Sequence, residues 1–485
     1  MNSNIVYDEK NDNLYILIYK LGTGACATVW FSIEFNKFMQ NIKHKKIIVS
    51  HKALKIHNSE DYDEGIIETK IIDIIPKNGP DSQYINYPLS HFIIDEDIVV
   101  VVYEVAIGSL YDILKMHNKK LPLTFIDKII PQMIKSIELI HKNGFVHTDI
   151  KPENFLLVGT TKFQNDILNF VKKYDLYSKL QLNKKKVITN KNMIEILHEP
   201  VYNLLTKLSE NFKLKGNIVE EEDEEDEEDE EDEEDEEDEE DEEEILKSNK
   251  SNDYDLIYKD MNDIEEDDDN SSTSTYGSHR GEFFLTFDKF NIKRIKYLET
   301  NEPSDTKSIE SDNNITNEKL EFIQKYIDNP KIVLMDFGLM KSSTELCRTV
   351  QTRYYRSPEI LFGLKYDYNI DLWALGCSLY ELITGEIMIN VEKSEYNEKY
   401  DKDLIHIKFL IEKIETQGYK NIMSLANLSP RKSYLFNDDN TLKFFKDITY
   451  QNWKNSDRFL EINKGTIDLI ENLLQIVPSN RRTRV

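Results

Sequence analysis

Phe145–Val158 reads FVHTDIKPENFLLV: an apolar pair, a tight polar loop and a short apolar run. Within the loop, Asp149 precedes Lys151 by two positions and Asn154 by five. Phosphoryl transfer needs a carboxylate to orient and deprotonate a hydroxyl, a cation near the moving phosphate, and a neutral oxygen donor for Mg²⁺. One short turn here supplies all three. Taken alone, the stretch is also readable as a charged surface turn between a helix and a strand. The flanking sequence decides between the two.

Upstream, Leu14–Leu21 is apolar, GTGACATVW follows, and Thr28–Ile33 continues with β-branched and aromatic residues, so two strands are expected. The turn between them, Gly22-Thr-Gly24-Ala-Cys-Ala27, joins strand to strand rather than strand to helix. That argues against a dinucleotide fold and for a flap over nucleotide phosphates; a plain glycine hairpin is the simpler alternative. Ile47–Ile56 is a third strand, reached through a long polar connection that looks like a surface insertion. Glu64–Ile75 has helical spacing and stops at Pro76. Asp97–Val105 is a continuous buried-strand run, and Thr124–Lys142 is an amphipathic helix ended by Asn143-Gly144. The polar loop follows at once.

Downstream the pattern changes. Residues 160–330 are polar and rich in Asn, Lys, Glu and Asp, with helical islands near Ile167–Tyr177 and Met193–Leu208. Glu220–Glu244 is an unbroken acidic run of 25 residues, so of the net charge of −29 only about −4 belongs to everything else. Its EED period of three suits neither helix nor strand amphipathicity, and such a block stays extended and solvated. Loop-closure cost grows slowly with length, so joining Gly159 to Lys331 is expected to leave a folded protein. Order returns at Lys331–Met335, a short strand running into Asp336-Phe337-Gly338; Ile370–Leu382 and Leu404–Ile414 are helical in pattern.

The whole chain, 485 residues at 39% hydrophobic, suits a two-lobed enzyme with an unpacked insertion. Three scattered cysteines, Cys26, Cys347 and Cys377, are too few for a disulfide frame or a zinc cluster and favour a reducing compartment. The start, MNSNIVYDEKNDN, has neither a basic head nor an apolar core, so no signal peptide is expected. No apolar run reaches membrane-spanning length.

Four further pieces stand in the right order for one active site. Lys55, in the strand ALKI, is placed to hold the α- and β-phosphates, although a snorkelling strand lysine is the plain alternative. Glu68, on the following helix, is placed to pair with it, against the ordinary reading of a solvated face. Asp336, at a strand end, offers a second hard-oxygen ligand for Mg²⁺. Gln351–Ile360, QTRYYRSPEI, suits a segment that shapes a peptide site before the next helix.

In this order and context the parts resemble a eukaryotic-type protein kinase, and within that group the SR-protein kinases. GTGACATVW is similar to that family's flap, HTDIKPEN to its catalytic loop with Thr148 where most kinases carry arginine, and QTRYYRSPE to its peptide-site segment. A long spacer splits that family's domain between the Asn-bearing loop and the Asp-Phe-Gly strand, where residues 160–330 fall. The resemblance implies an α+β, bilobal fold with a β-rich N-lobe and a helical C-lobe. It divides the chain into N-lobe and hinge (12–106), the first part of the C-lobe (107–159), an acidic spacer (160–330), and the activation segment with the rest of the C-lobe (331–485).

It also implies ATP and Mg²⁺ as cofactors and assigns roles. Gly22, Gly24 and Val29 flank ATP; Tyr103 is the gatekeeper; Glu104 and Ala106 meet adenine through their backbone. Asp149 is the catalytic base, Lys151 contacts the γ-phosphate, and Asn154 and Asp336 hold Mg²⁺. Asp371 braces the catalytic loop, and Glu359 pairs with Arg481. With Thr148 in place of arginine, a phosphate on the activation loop lacks its usual docking cation, so activity without loop phosphorylation is expected.

For substrates, Glu153 is placed to face a basic residue two positions before the acceptor. The family's acidic groove maps onto Glu386, Ile405 and Glu412, with the central position apolar here. A general preference for basic, Arg-containing proteins is expected, and extended Arg/Ser-repeat processing is not. The expected protein is a monomer in the cytoplasm, with access to the nucleus and without direct nucleic-acid or membrane binding. Two other readings stand beside this one. A dual-specificity LAMMER-type kinase would need a helix motif that Leu404–Ile414 lacks. A pseudokinase, or an acidic scaffold for basic proteins built on Glu220–Glu244, must explain why Lys55, Asp149, Asn154 and Asp336 are intact.

Overall fold

Strand-forming residues crowd the first hundred positions, and they build one antiparallel sheet. The computed structural model describes residues 4–43, 48–77, 79, 81–174, 176, 193–212, 217–218, 295–296, 322–342, 350–396, 399–415, 419–445 and 448–483. The sheet runs in the order β1 (Ile5–Asp8), β2 (Asn13–Thr23), β3 (Ala27–Asn36), β4 (Ile48–His57), β6 (Ile98–Tyr103), β5 (Ser90–Ile94). β1 was not foreseen, and it carries the small lobe's sheet ahead of the expected start at residue 12, because Ile5 and Val6 pair with Ile16 and Tyr15. A short helix α1 (Phe38–Lys43) lies in the connection to β4.

The helix expected over Glu64–Ile75 is broken. α2 (Tyr62–Thr69) ends just after Glu68, Lys70 tightens onto the Ile67 carbonyl at 3.0 Å, and α3 (Ile71–Ile74) resumes for one turn. Gly65 explains how α2 sits so close to the sheet: a Cβ there would lie 2.8 Å from Val99 Cβ and 3.0 Å from the His57 ring.

β7 (Ala106–Ser109) leads to α4 (Leu110–Met116) and the long α5 (Leu123–Lys142), whose face of Phe125, Ile126, Ile129, Ile130, Met133 and Ile137 is buried. β8 (Phe145–Val146) and β9 (Phe155–Val158) bracket the polar loop. β9 sits between β7 and β12 (Ile332–Leu334), while β8 pairs with β13 (Lys341–Ser342).

Residues 160–330 do not form one solvated spacer. Thr161 and Gln164 make a reciprocal capping box at the start of α6 (Lys162–Tyr174), with bonds of 2.8 and 3.1 Å. α6 and α7 (Met193–Phe212) bury Ile167, Val171, Leu197, Val201, Leu204 and Leu208 in one cluster with Leu14, Ile16, Phe31, Ile33 and Phe35 of the small-lobe sheet. Each set recurs at helical spacing, so each helix turns one apolar stripe into that cluster. A further helix α8 (322–328) contributes Ile323 and Ile327 to the large-lobe core. The two helical islands are therefore part of the lobes. The acidic run Glu220–Glu244 lies outside the described residues.

The large lobe centres on α10 (Asn369–Thr384), buried almost all round, preceded by α9 (Pro358–Leu361). It is followed by α11 (Lys402–Lys413), α12 (Lys420–Ala426), α13 (Lys432–Leu435), α14 (Arg458–Glu461) and α15 (Lys464–Leu473). All of this belongs to one unit, Ser3–Lys215 with Leu298–Val485; a second unit, Gly216–Tyr297 with Met1–Asn2, contains the antiparallel pair β10 (Asn217–Ile218) and β11 (Ile295–Lys296). Among the described residues no helix is long and apolar enough to cross a membrane.

Candidate functional site

A single buried carboxylate holds the polar loop from beneath. Asp371, at the start of α10, accepts the backbone N–H groups of His147 (2.8 Å) and Thr148 (2.9 Å), and His141 Nε2 lies 2.8 Å from it. Thr148 is thereby kept at φ +69°, a conformation that costs an L-residue ~1 kcal/mol or more and persists only when its surroundings over-determine it. The Thr148 hydroxyl donates to the Leu339 carbonyl at 2.9 Å, tying the loop to the segment after Asp336-Phe337-Gly338.

So held, the loop gathers its three polar residues. Asn154 Nδ2 donates to the Asp149 carbonyl (2.7 Å) and to its carboxylate (3.1 Å). Lys151 Nζ is 2.6 Å from Asp149 Oδ2. The Thr352 hydroxyl donates to Asp149 Oδ1 at 2.7 Å and accepts from Lys151 at 3.1 Å. Burial alone would raise the Asp149 pKa, but the Lys151 charge and the bonds from Lys151 and Thr352 outweigh it, so the carboxyl lies below its ordinary range.

The small lobe supplies the facing cluster. Lys55 Nζ lies 2.6 Å from Glu68 Oε2 and 2.7 Å from Asp336 Oδ1. Burial opposes the ammonium charge, yet the two carboxylates more than offset it and hold the Lys55 pKa above the usual value. Glu68 responds in the opposite sense: burial pushes its pKa up, and Lys55 and His57 together bring it below the carboxylate range. His57 Nε2 is 3.2 Å from Glu68 Oε2 but out of hydrogen-bond alignment. The other oxygen, Oε1, accepts from the Tyr103 hydroxyl at 2.5 Å. Asp336 has φ +67°, and the adjacent Met335 N–H donates to the Asn154 carbonyl at 2.9 Å, which joins the two clusters.

Above them, Gly24 N–H closes the flap onto the Ala27 carbonyl at 2.9 Å. Register sets Gly22 opposite Val29, and Val29 opposite Lys55. A Cβ at Gly22 would meet nothing within 4 Å, and neither Gly22 nor Gly24 has a positive φ. Neither backbone geometry nor crowding by the protein itself demands glycine at these two positions. At the lobe junction the exposed Glu104 carboxylate pairs with Lys52 at 3.0 Å, and the Ala106 carbonyl already accepts from Gln164 Nε2 at 3.1 Å.

The expected substrate residues are placed less uniformly. Among the described residues Glu153 Oε2 is buried without a hydrogen-bond partner, and burial raises its pKa. Glu381, near enough to feel its charge, accepts from the Tyr355 hydroxyl at 2.6 Å and is pushed up to about 7, first by burial and then by Glu153. Glu386 is exposed, Ile405 is fully buried, and Glu412 is ion-paired with Lys408 at 2.5 Å. Lys413 lies close enough to sense both Glu386 and Glu412. Below the peptide-site segment, Arg481 grips Glu359 with two parallel bonds of 2.6 and 2.7 Å, both side chains buried. Sequence reasoning missed Thr352, Glu381 and Gln164. Of these, only Gln164 had a local signal, the T-x-x-Q start of its helix.

The donor set fits Mg²⁺. Asn154 spends its N–H groups on Asp149 and keeps its amide oxygen, and among the described residues Asp336 Oδ2 has no hydrogen-bond partner. Few carboxylates with neutral oxygens are what this ion takes alongside phosphate.

Known proteins carry the same organisation. The family model described as "Protein kinase domain" matches residues 15–193 and 313–484. A putative serine/threonine-protein kinase of Acanthamoeba polyphaga mimivirus is 28% identical over 468 residues, covering 93% of this chain and 79% of that one. The serine/threonine-protein kinase SRPK of Physarum polycephalum is 22% identical over 456 residues, 92% of this chain and 76% of its own. A crystal structure of a kinase domain shares the fold at a TM-score of 0.50 and 15% identity, covering 97% of this chain and 92% of that chain. The matched segments span well over half of the sequence and include all the clustered side chains above: the chain belongs to the protein kinase family, among its serine/threonine kinases, with a domain divided in two by an insertion.

Proposed function

We propose that the chain is a constitutively active, ATP-dependent serine/threonine kinase that favours basic, arginine-containing protein substrates. The observation that carries the first part is the Thr148 hydroxyl on the Leu339 carbonyl. Where a kinase with arginine at this position orders its activation segment through a phosphate, this chain anchors the segment's start directly, with β13 paired to β8 just beyond.

In this reading Lys55 holds the α- and β-phosphates, oriented by Glu68, and the glycines of the flap let backbone approach them. Asp149 accepts a hydrogen bond from the substrate hydroxyl and takes its proton. Its lowered pKa keeps it ionised, and Thr352 and Lys151 fix the carboxylate's rotation. Lys151 is then beside the transferred group as a cation. Asn154 and Asp336 would hold Mg²⁺, which when bound would supply charge neutralisation at the phosphate oxygens.

Substrate preference rests on Glu153 and Glu381. Glu153 Oε2 is buried with no hydrogen-bond partner among the described residues and acts on the buried Glu381 carboxylate, and an arginine entering beside them gains charge-assisted bonds. Glu386 and Glu412 support less, because Lys408 and Lys413 already stand against them. A basic residue close to the acceptor is therefore favoured over a long arginine-rich docking segment.

The test is phosphatase treatment. Treated protein should keep most of its rate on an Arg-containing serine peptide, and Thr148→Val, which removes only the hydroxyl, should lose several-fold. A loss of two orders of magnitude or more on dephosphorylation would overturn the constitutive reading.

A further inference from the structure

Glu68 ends a short helix. α2 has eight residues, and Lys70 breaks the helical course directly after Thr69, so the helix gives its last-turn carboxylate little rigidity of its own. Every oxygen of that carboxylate is nevertheless engaged. Oε2 faces Lys55 and His57, and Oε1 takes the Tyr103 hydroxyl at 2.5 Å. Tyr103 is the last residue of β6, which pairs with both β4 and β5, and its side chain is buried. The donor is thus mounted on a strand paired on both sides, and the acceptor in the last turn of an eight-residue helix.

We infer that Tyr103 is a positioning residue for catalysis: its hydroxyl holds Glu68, and through Glu68 the Lys55 ammonium, in place before nucleotide arrives. This deepens the proposed kinase activity and rests on the reading of Lys55 as the phosphate-holding cation. A phenol is needed rather than any large side chain. Its ring packs in a small apolar cluster with Ala53, Val99 and Val101, as a Phe would, but only the hydroxyl reaches the carboxylate. Burial, and next the charge of Glu68, keep the phenol protonated, so it remains a donor at every working pH. The bond joins a neutral donor to a charged acceptor inside the protein, the stronger class of hydrogen bond.

Tyr103→Phe is the test, because it keeps the ring. kcat should fall about tenfold, the worth of one hydrogen bond to a charged group, while KM for the peptide stays within twofold. In a Glu68→Gln background, where the charged acceptor is gone, the same change should cost less than twofold. Without nucleotide, backbone amides of Tyr62–Thr69 should exchange with deuterium at least several-fold faster in Tyr103→Phe than in the parent. A kcat within twofold of the parent, losses that multiply in the double variant, or unchanged exchange in α2 would each overturn the inference. Should the parent itself show no turnover, the kinase reading fails separately, and the exchange measurement still decides whether Tyr103 holds the helix.

Discussion

Leu204→Ala is the substitution that separates a structural insertion from a dispensable one. Leu204 lies on α7 inside the stretch read as spacer, yet it is fully buried in the cluster that includes the small-lobe sheet. Truncating such a side chain leaves a cavity that close-packed neighbours cannot fill, at a cost of about 2–5 kcal/mol. Removing 160–212 entirely would delete seven buried apolar residues, Leu176 included, and bare their cluster partners on the sheet, for a loss of order 10 kcal/mol, comparable with the stability of a whole domain. Excising 219–294 is a different operation. Ile218 and Ile295 are cross-strand partners, so a two-residue turn can join them, and closure cost changes by only ~0.6 kcal/mol per doubling of length. Urea unfolding followed by tryptophan fluorescence should show a lower midpoint for Leu204→Ala and no lowering for the excision. A shift below about 1 kcal/mol for Leu204→Ala, or a destabilised excision variant, would refute the packing argument.

Asp149→Asn should leave ATP affinity nearly intact and cut turnover by several orders of magnitude, measured by calorimetric titration and by phosphate transfer; turnover near the parent's would remove Asp149 from its assigned role. KM for an Arg-containing peptide should fall as pH rises through about 7, because Glu381 is neutral below that value and ionised above it, whereas a matched peptide with norleucine should show no such inflection. Glu153→Gln removes a like charge from Glu381, so the inflection should move to lower pH and the arginine preference should weaken; identical pH profiles for the two peptides would end the assignment of this pocket.

The loop around Asp149 was legible because its chemistry is local: three polar residues within six positions, flanked by a strand and a helix with clear periodicity. Lys55, Glu68 and Asp336 were legible as a set because each sits at a recognisable point of an element. What escaped notice depends on distance. Thr352 reaches Asp149 across 203 positions, and no periodicity announces that a threonine will bridge a carboxylate and a lysine. The helical islands after Val158 are readable as helices, but Ile167, Val171, Leu204 and Leu208 share a cluster with sheet residues more than a hundred positions away. A stripe shows that something will be covered without saying what covers it. The break at Lys70 was hidden by an uninterrupted helical pattern on either side.

The bond between Gln164 and the Ala106 carbonyl has a pharmacological consequence. On the proposed reading, Ala106 belongs to the edge that adenine meets, where a competitor of ATP would seek both a backbone donor and a backbone acceptor. Here the acceptor is already engaged by a side chain that is almost wholly buried. A compound that donates to this carbonyl must share it with Gln164 or displace that amide and leave it unsatisfied, whereas one that only accepts from the backbone loses nothing. Inhibitor series should therefore rank differently on this enzyme than on a kinase with a free carbonyl at this point, and Gln164→Ala should restore the usual order.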